Sequence, residues 1–307
     1  MLILVLATIG VFVALAGYGD FDDTVDTIAD LPVSYLIAGF GLALSNYLFR
    51  YFRWCYYLRV LKIRVHARLN LLVFFSGLAM SVTPGKVGEL VKCYLLSSQM
   101  RVPVGRSAPA LVMERLIDVI FVFILTLSGL PMLSAPAVVV LAVLLASVLS
   151  VFIFARSRHA LRLTRLPILS RWTDLFEDYQ EGFNQLATAR VIFVGFAIGV
   201  VAWSAEGLAL WVILNGIGTD MPILRALSIY AVSTLAGAAT TLPGGLIGTE
   251  GSMLALLQQS GMVKSAASAS SVLVRFITLW FAVAIGVVAL IVLRRISNSA
   301  LGDSGEY

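Results

Sequence analysis

Apolar residues run along this chain in long blocks. They neither alternate nor confine themselves to one helical face. Blocks at about 1–18, 33–54, 108–131, 137–155, 191–214 and 266–293 approach or exceed the roughly 20 apolar residues that cross a bilayer core, and each predicts a spanning helix. Two further apolar stretches, about 69–97 and 223–259, are interrupted in the middle by Pro and Gly. The first block lacks a basic start and an A-x-A cleavage pattern, so it reads as a retained helix. The segment 156–190 differs from all of these. Leu161, Leu163, Leu166, Ile168 and Leu169 alternate with Arg162 and Arg165, and then Trp172, Leu175, Phe176, Tyr179 and Phe183 recur at helical spacing. That pattern predicts an amphipathic helix on the cytoplasmic membrane surface.

Composition sharpens the picture. Of 307 residues, 60% are hydrophobic and 13% charged, against about 45–50% and 25% in soluble domains. With a mean hydropathy of +0.95, this excludes a soluble enzyme and a disordered chain. The polar stretch 156–190, about 35 residues, is too short to bury a core of its own. Cys55 and Cys93 supply no disulfide framework.

The net charge of +5 reads as the positive bias of cytoplasmic loops, with no nucleic-acid partner. Basic residues concentrate in Arg50–Arg68, in Arg156–Arg190 and at Arg294–Arg295. The loop Asp20–Pro32 holds five Asp and no Lys or Arg, and predicts the opposite face, as do the turn near Ser134 and the segment Asn215–Met221. Parity then makes 69–97 enter and leave from the cytoplasm and 223–259 from outside. The expected fold is an all-α polytopic membrane protein, a single transmembrane domain over 1–307. It has about six transmembrane helices and two oppositely oriented re-entrant hairpins, with both termini cytoplasmic in a cell membrane. Non-helical backbone at membrane depth persists where it lines a cavity or is buried in protein, so two breaks predict an internal cavity.

The breaks are alike. The first reads Ser81-Val82-Thr83-Pro84-Gly85-Lys86-Val87-Gly88-Glu89. The second reads Thr241-Leu242-Pro243-Gly244-Gly245-Leu246-Ile247-Gly248-Thr249-Glu250. An intramembrane arginine follows each, Arg115 and Arg275. The offsets between prolines, glutamates and arginines are 159, 161 and 160 residues. A shared offset predicts an internal repeat, 33–131 and 191–293, joined by the linker 156–190. Paired Gly/Pro-interrupted segments in matching positions point to a transporter's binding site, and the half-helix N-termini after the breaks favour an anionic group.

Intramembrane charge costs roughly 2.5–3.5 kcal/mol per residue on insertion scales. Glu89, Arg115, Asp118, Glu206, Glu250 and Arg275 are therefore expected to face the bundle interior and pair, Glu89 with Arg115 and Glu250 with Arg275. The candidate substrate-binding set is Pro84, Gly85, Lys86, Gly88, Glu89, Arg115, Asp118, Pro243, Gly244, Gly245, Gly248, Glu250 and Arg275. Lys86 and Lys92 read equally well as interfacial side chains. Gly195-x-x-x-Gly199 reads as helix packing.

Three stretches carry a family resemblance: Gly77–Leu96 (GLAMSVTPGKVGELVKCYLL), Glu114-Arg115-x-x-Asp118, and Leu242–Leu257 (LPGGLIGTEGSMLALL). With the basic run Arg50–Trp54, they resemble the lysylphosphatidylglycerol synthase/flippase transmembrane-domain family over nearly the whole chain. The resemblance implies a module that moves lipids between leaflets. No synthase domain follows before Tyr307, so the chain reads as a stand-alone member, which leaves the lipid open among phospholipids, polyprenyl-phosphate-linked sugars and hopanoids.

Covalent chemistry finds little support. The sequence shows no Walker A loop, no metal-ligand cluster and no catalytic constellation, and calls for no cofactor. His66 and His159 lie in basic loops and read as interfacial. The expected function is movement of an anionic phospholipid or polyprenyl-phosphate-linked lipid. Two other readings stay open: a membrane-embedded transferase using a lipid-linked donor, and a non-transporting scaffold for a lipid synthase or glycosyltransferase. A homo-oligomer is compatible with all three.

Overall fold

The computed structural model describes residues 2–83, 88–127, 135–157 and 173–302. Among the described residues the chain is helical, with no strand. The order is α1 (Leu2–Tyr18), α2 (Phe21–Ala29), α3 (Val33–Val60), α4 (Ala67–Leu78), α5 (Val91–Met100), α6 (Val104–Leu127), α7 (Ala135–Arg156), α8 (Thr173–Leu186), α9 (Ala189–Gly216), α10 (Ile223–Ala239), α11 (Gly248–Gln259), α12 (Lys264–Arg275) and α13 (Phe281–Gly302). A π-helical turn, Phe276–Trp280, joins α12 to α13.

Ala189–Gly216 and Lys264–Ile296 are each long and apolar enough to cross a membrane. The pair α2 and α3, bent through 84°, supplies a third candidate. Helix α6 is also long, yet it carries Glu114, Arg115 and Asp118 in its middle, so apolarity alone does not mark it. The acidic segment expected as a loop is largely helix α2, with Asp22 and Asp23 in its first turn, where the N-terminal dipole favours them. It packs against α12.

The centre of the bundle is the contact between α3 and α9. One face of α3 is buried at Ala43, Asn46, Tyr47, Arg50, Arg53, Trp54, Tyr57 and Leu58, a spacing of three and four that holds a single stripe toward its neighbour. Helix α9 answers with small residues. A methyl at Gly195 would strike the Tyr57 hydroxyl, and one at Gly199 would stand 3.0 Å from Arg53 Nη1. The Gly-x-x-x-Gly face therefore makes room for polar side chains of α3 as well as for close packing. Asn46 Nδ2 donates to the Ala202 carbonyl across the same contact, at 2.8 Å.

Each interrupted stretch forms two short helices around an irregular break. Helices α4 and α5 flank the first, and α10 and α11 the second. The pairing of elements follows a pattern. Helix α4 packs on α13 and α10 on α6, while α5 packs on α6 and α11 on α12. Gly286 of α13 lies hard against the end of α4, where a methyl would collide with the Ala79 backbone.

Helix α8 rests on the body of the protein. Its buried face, Gln180, Gly182, Phe183 and Leu186, lies against protein: α8 contacts α6, α7 and the end of α3. Phe183 stacks on Tyr179 and meets Phe152 edge-on. Of the apolar stripe, Phe183 is thus buried against protein, while Leu175, Phe176 and Tyr179 are half-buried. The residues before it, including His159, Arg162, Arg165 and Trp172, lie outside the described residues, as does the turn near Ser134.

Gly286→Ala should destabilise the detergent-solubilised protein by about 1–3 kcal/mol, the usual cost of overpacking, whereas Gly41→Ala, with nothing within 4 Å, should leave stability unchanged. Thermal unfolding followed by tryptophan fluorescence checks both.

Candidate functional site

A cavity of about 300 Å³ opens where the two breaks meet the core of the bundle. Ser81 and Thr83 reach it from the first break, and Thr241, Leu242, Gly244 and Gly245 from the second. Tyr47 and Arg50 come from α3, Arg115 and Asp118 from α6, Trp203 and Glu206 from α9, Tyr230 from α10 and Arg275 from α12. The volume sits at the low end of small-molecule pockets, roughly 300–1,000 Å³.

The second break owes its shape to backbone that few side chains tolerate. Thr241, Gly244, Gly245 and Ile247 all have positive φ, between 54° and 68°. Glycine accepts this without penalty; Thr241 and Ile247 are held there by their surroundings. Arg275 braces the turn. Its Nε donates to Glu250 Oε1 at 2.6 Å and its Nη2 donates to the Gly244 carbonyl. Gly245 and Gly248 both back onto α10, where a methyl would meet Gly237 and Thr240 respectively. In the first break the Gly88 N–H donates to Thr83 Oγ1 at 2.8 Å, and Thr83 Oγ1 donates to the Met80 carbonyl at 2.7 Å.

Around the first break lies a buried ionic network. Arg53 Nη2 donates to Asp118 Oδ1 at 2.6 Å and Lys92 Nζ donates to Glu114 Oε2 at 2.8 Å. Arg50 stands 3.5 Å from Glu89, and Lys92 3.7 Å from the other oxygen of that carboxylate. Arg115 Nη2 lies 3.4 Å from Glu89 and 3.1 Å from Asp118. Four cations thus share three carboxylates. The second half has Arg275 with Glu250, and Glu206, which accepts a hydrogen bond from the Tyr230 hydroxyl at 2.8 Å. Unpaired charges at this depth would carry a penalty of several kcal/mol each, which explains why the network is so densely matched.

Of the residues singled out by sequence, Arg115, Asp118, Glu206, Gly244, Gly245 and Arg275 line the cavity. Glu89 and Glu250 are buried beside Arg115 and Arg275 without lining it, and Gly88, Pro243 and Gly248 belong to the breaks. Pro84, Gly85 and Lys86 lie outside the described residues.

Three readings need correction. Arg50 and Arg53 are enclosed in the bundle and paired with carboxylates, rather than serving as cytoplasmic flanks. Lys92 is 2% exposed, clamped by Glu114 and seated over the Trp54 ring at 4.6 Å, which is no interfacial position. The half-helix N-termini already carry carboxylates of this chain: Glu250 in the first turn of α11 and Glu89 just before α5. The cation chemistry available to an anion therefore rests on arginine side chains. A signal for Arg50 and Arg53 was present in the sequence, because Asn46, Arg50, Arg53 and Tyr57 fall on one face of an apolar helix.

Among the described residues no cluster of three His, Cys, Asp or Glu has metal-binding geometry. A helical bundle with buried ionic pairs beside a small cavity defines a multi-pass membrane protein with an internal site. The family described as Lysylphosphatidylglycerol synthase TM region matches residues 2–286, and the chain belongs to it. A "UPF0104 membrane protein" of Methanothermobacter thermautotrophicus is 24% identical over 327 aligned residues, covering 94% of each chain. A second "UPF0104 membrane protein" of that organism is 24% identical over 110 residues, covering 36% of this chain and 32% of the relative. The family is lipid-related by its description.

Removing one member of the Lys92–Glu114 pair, as in Glu114→Gln, should cost about 3–5 kcal/mol, while the double change Lys92→Met/Glu114→Leu should cost clearly less, since no charge is left orphaned. A double-mutant cycle on unfolding free energy would measure that coupling, and additive losses would contradict the buried pair.

Proposed function

We propose that the protein is a lipid translocase of the cell membrane that moves an anionic phospholipid or polyprenyl-phosphate-linked lipid between leaflets. The observation that carries this is the cavity itself, which sits between the two breaks and takes Arg50 and Arg115 from the first half of the chain and Arg275 from the second. Arginine offers a planar fork of donors matched to phosphate oxygens. The headgroup would occupy the cavity while the acyl tails remain in lipid through a lateral opening. Nothing in this reading calls for bond making, and the protein acts as a transporter.

The packing pattern favours an inverted repeat of 33–131 and 191–293. Exchanging the halves maps α4 on α13 to α10 on α6, and maps α5 on α6 to α11 on α12, with α3 and α9 exchanging into each other. In this reading α1, α3, α6, α7, α9 and the continuous α12–α13 cross the membrane, and the α4–α5 and α10–α11 hairpins re-enter from opposite sides. Both termini then face the cytoplasm, and a separate lipid synthase or glycosyltransferase supplies the substrate.

The test is reconstitution in liposomes with fluorescent anionic phospholipids and a polyprenyl-phosphate sugar, with leaflet exposure read by dithionite quenching. Wild type should move one lipid class selectively, and Arg115→Ala and Arg275→Ala should each slow movement at least tenfold. Folded wild-type protein that moves none of them would sink the proposal, and a chemically altered lipid would indicate a transferase instead.

A further inference from the structure

Resting on that transport reading, we infer that the arginines following the two breaks divide the work: Arg115 is the guanidinium that binds the headgroup phosphate, and Arg275 is a positioning residue that holds the second break in shape. The bonding of the two differs in kind. Arg275 is satisfied along two directions, by Glu250 through Nε and by the Gly244 carbonyl through Nη2. Among the described residues it is the one cation within ion-pair distance of Glu250. If Arg275 turned toward a ligand, a buried carboxylate would lose its charge partner and the positive-φ turn its donor, both at high cost in a low dielectric.

Arg115 has no such obligation. Its Nη2 lies within ion-pair distance of two carboxylates, yet Nε and Nη2 are buried without a hydrogen bond among the described residues. Its side chain is 25% exposed, against 0–8% for the other cations of these ion pairs. Both of its carboxylates are also held by cations that stay buried: Glu89 by Arg50 and Lys92, Asp118 by Arg53. Arg115 is the supernumerary cation of its cluster. It can exchange two poorly aligned contacts for aligned, charge-assisted bonds to a phosphate oxygen, and no carboxylate is stranded when it does. Arg50, Arg53 and Lys92 thereby become positioning residues as well, since they keep the site intact while Arg115 engages and releases.

The experiment uses full-length protein in detergent. Binding of dihexanoyl phosphatidylglycerol is read from the fluorescence of cavity-lining Trp203, with thermal unfolding and liposome movement measured on the same variants. Arg115→Gln should weaken binding at least tenfold and shift Tm by no more than 3 °C. Arg275→Gln should lower Tm by at least 5 °C and, below that Tm, weaken binding less than threefold. Arg275→Lys keeps the charge against Glu250 and should recover most of the Tm, yet movement should stay slow, because an ammonium on its stem does not serve Glu250 and the Gly244 carbonyl together. Equal loss of binding in both Gln variants, or a collapse of Tm confined to Arg115→Gln, would overturn the division while leaving transport standing. Wild type that neither binds nor moves any anionic lipid would overturn both. Inorganic phosphate competing as well as the short-chain lipid would assign Arg115 a free anion and overturn the headgroup assignment.

Discussion

A charge inside an apolar bundle has to be answered by another charge or by hydrogen bonds, because water is not there to do so. That requirement organises this molecule. Arg53 and Asp118 tie α3 to α6, Lys92 and Glu114 tie α5 to α6, and Glu250 and Arg275 tie α11 to α12. Each pair fixes the register of two helices whose apolar surfaces alone would slide. The small-residue face of α9 belongs to the same arrangement, since Gly195 and Gly199 give Tyr57 and Arg53 room at the interface. The cavity lies where the matching leaves one side of the network open.

Much of this was legible in the sequence, and what was missed had a definite cause. The apolar blocks located the long helices to within a few residues, because burial in lipid demands uninterrupted apolar length. The two Pro/Gly breaks and the arginines after them were visible because an apolar background makes a polar motif stand out. Arg50, Arg53 and Lys92 were misread for a complementary reason. Near the end of a span, a basic residue that snorkels to the interface and one that faces a buried carboxylate look identical in one dimension. Only the helix phase, Asn46-Arg50-Arg53-Tyr57 on one face, separates the two cases. The linker helix poses a similar ambiguity. An amphipathic pattern fixes that a face is covered, not whether lipid or α6 covers it.

The two halves of the proposed repeat differ in chemistry. Counting 160 residues on from Asp118 reaches Thr278, whose carbonyl accepts a hydrogen bond from the Tyr47 hydroxyl at 2.6 Å. A buried acid in the first half thus has an uncharged counterpart in the second, and the π turn that carries Thr278 follows directly on Arg275. π turns interrupt regular helices frequently at functional sites. Around the first break four cations share three carboxylates, whereas beside the second Arg275 is held by Glu250 and the Gly244 carbonyl.

The strap formed by α8 has a mechanical consequence. It is seated on α3, α6 and α7, and reaches α9 through only Ala187 and Thr188. The second half is therefore leashed to the first at one end by a link two residues long. Two residues span at most about 7 Å when extended, so the start of α9 stays beside the seated end of α8 whatever the rest of the bundle does.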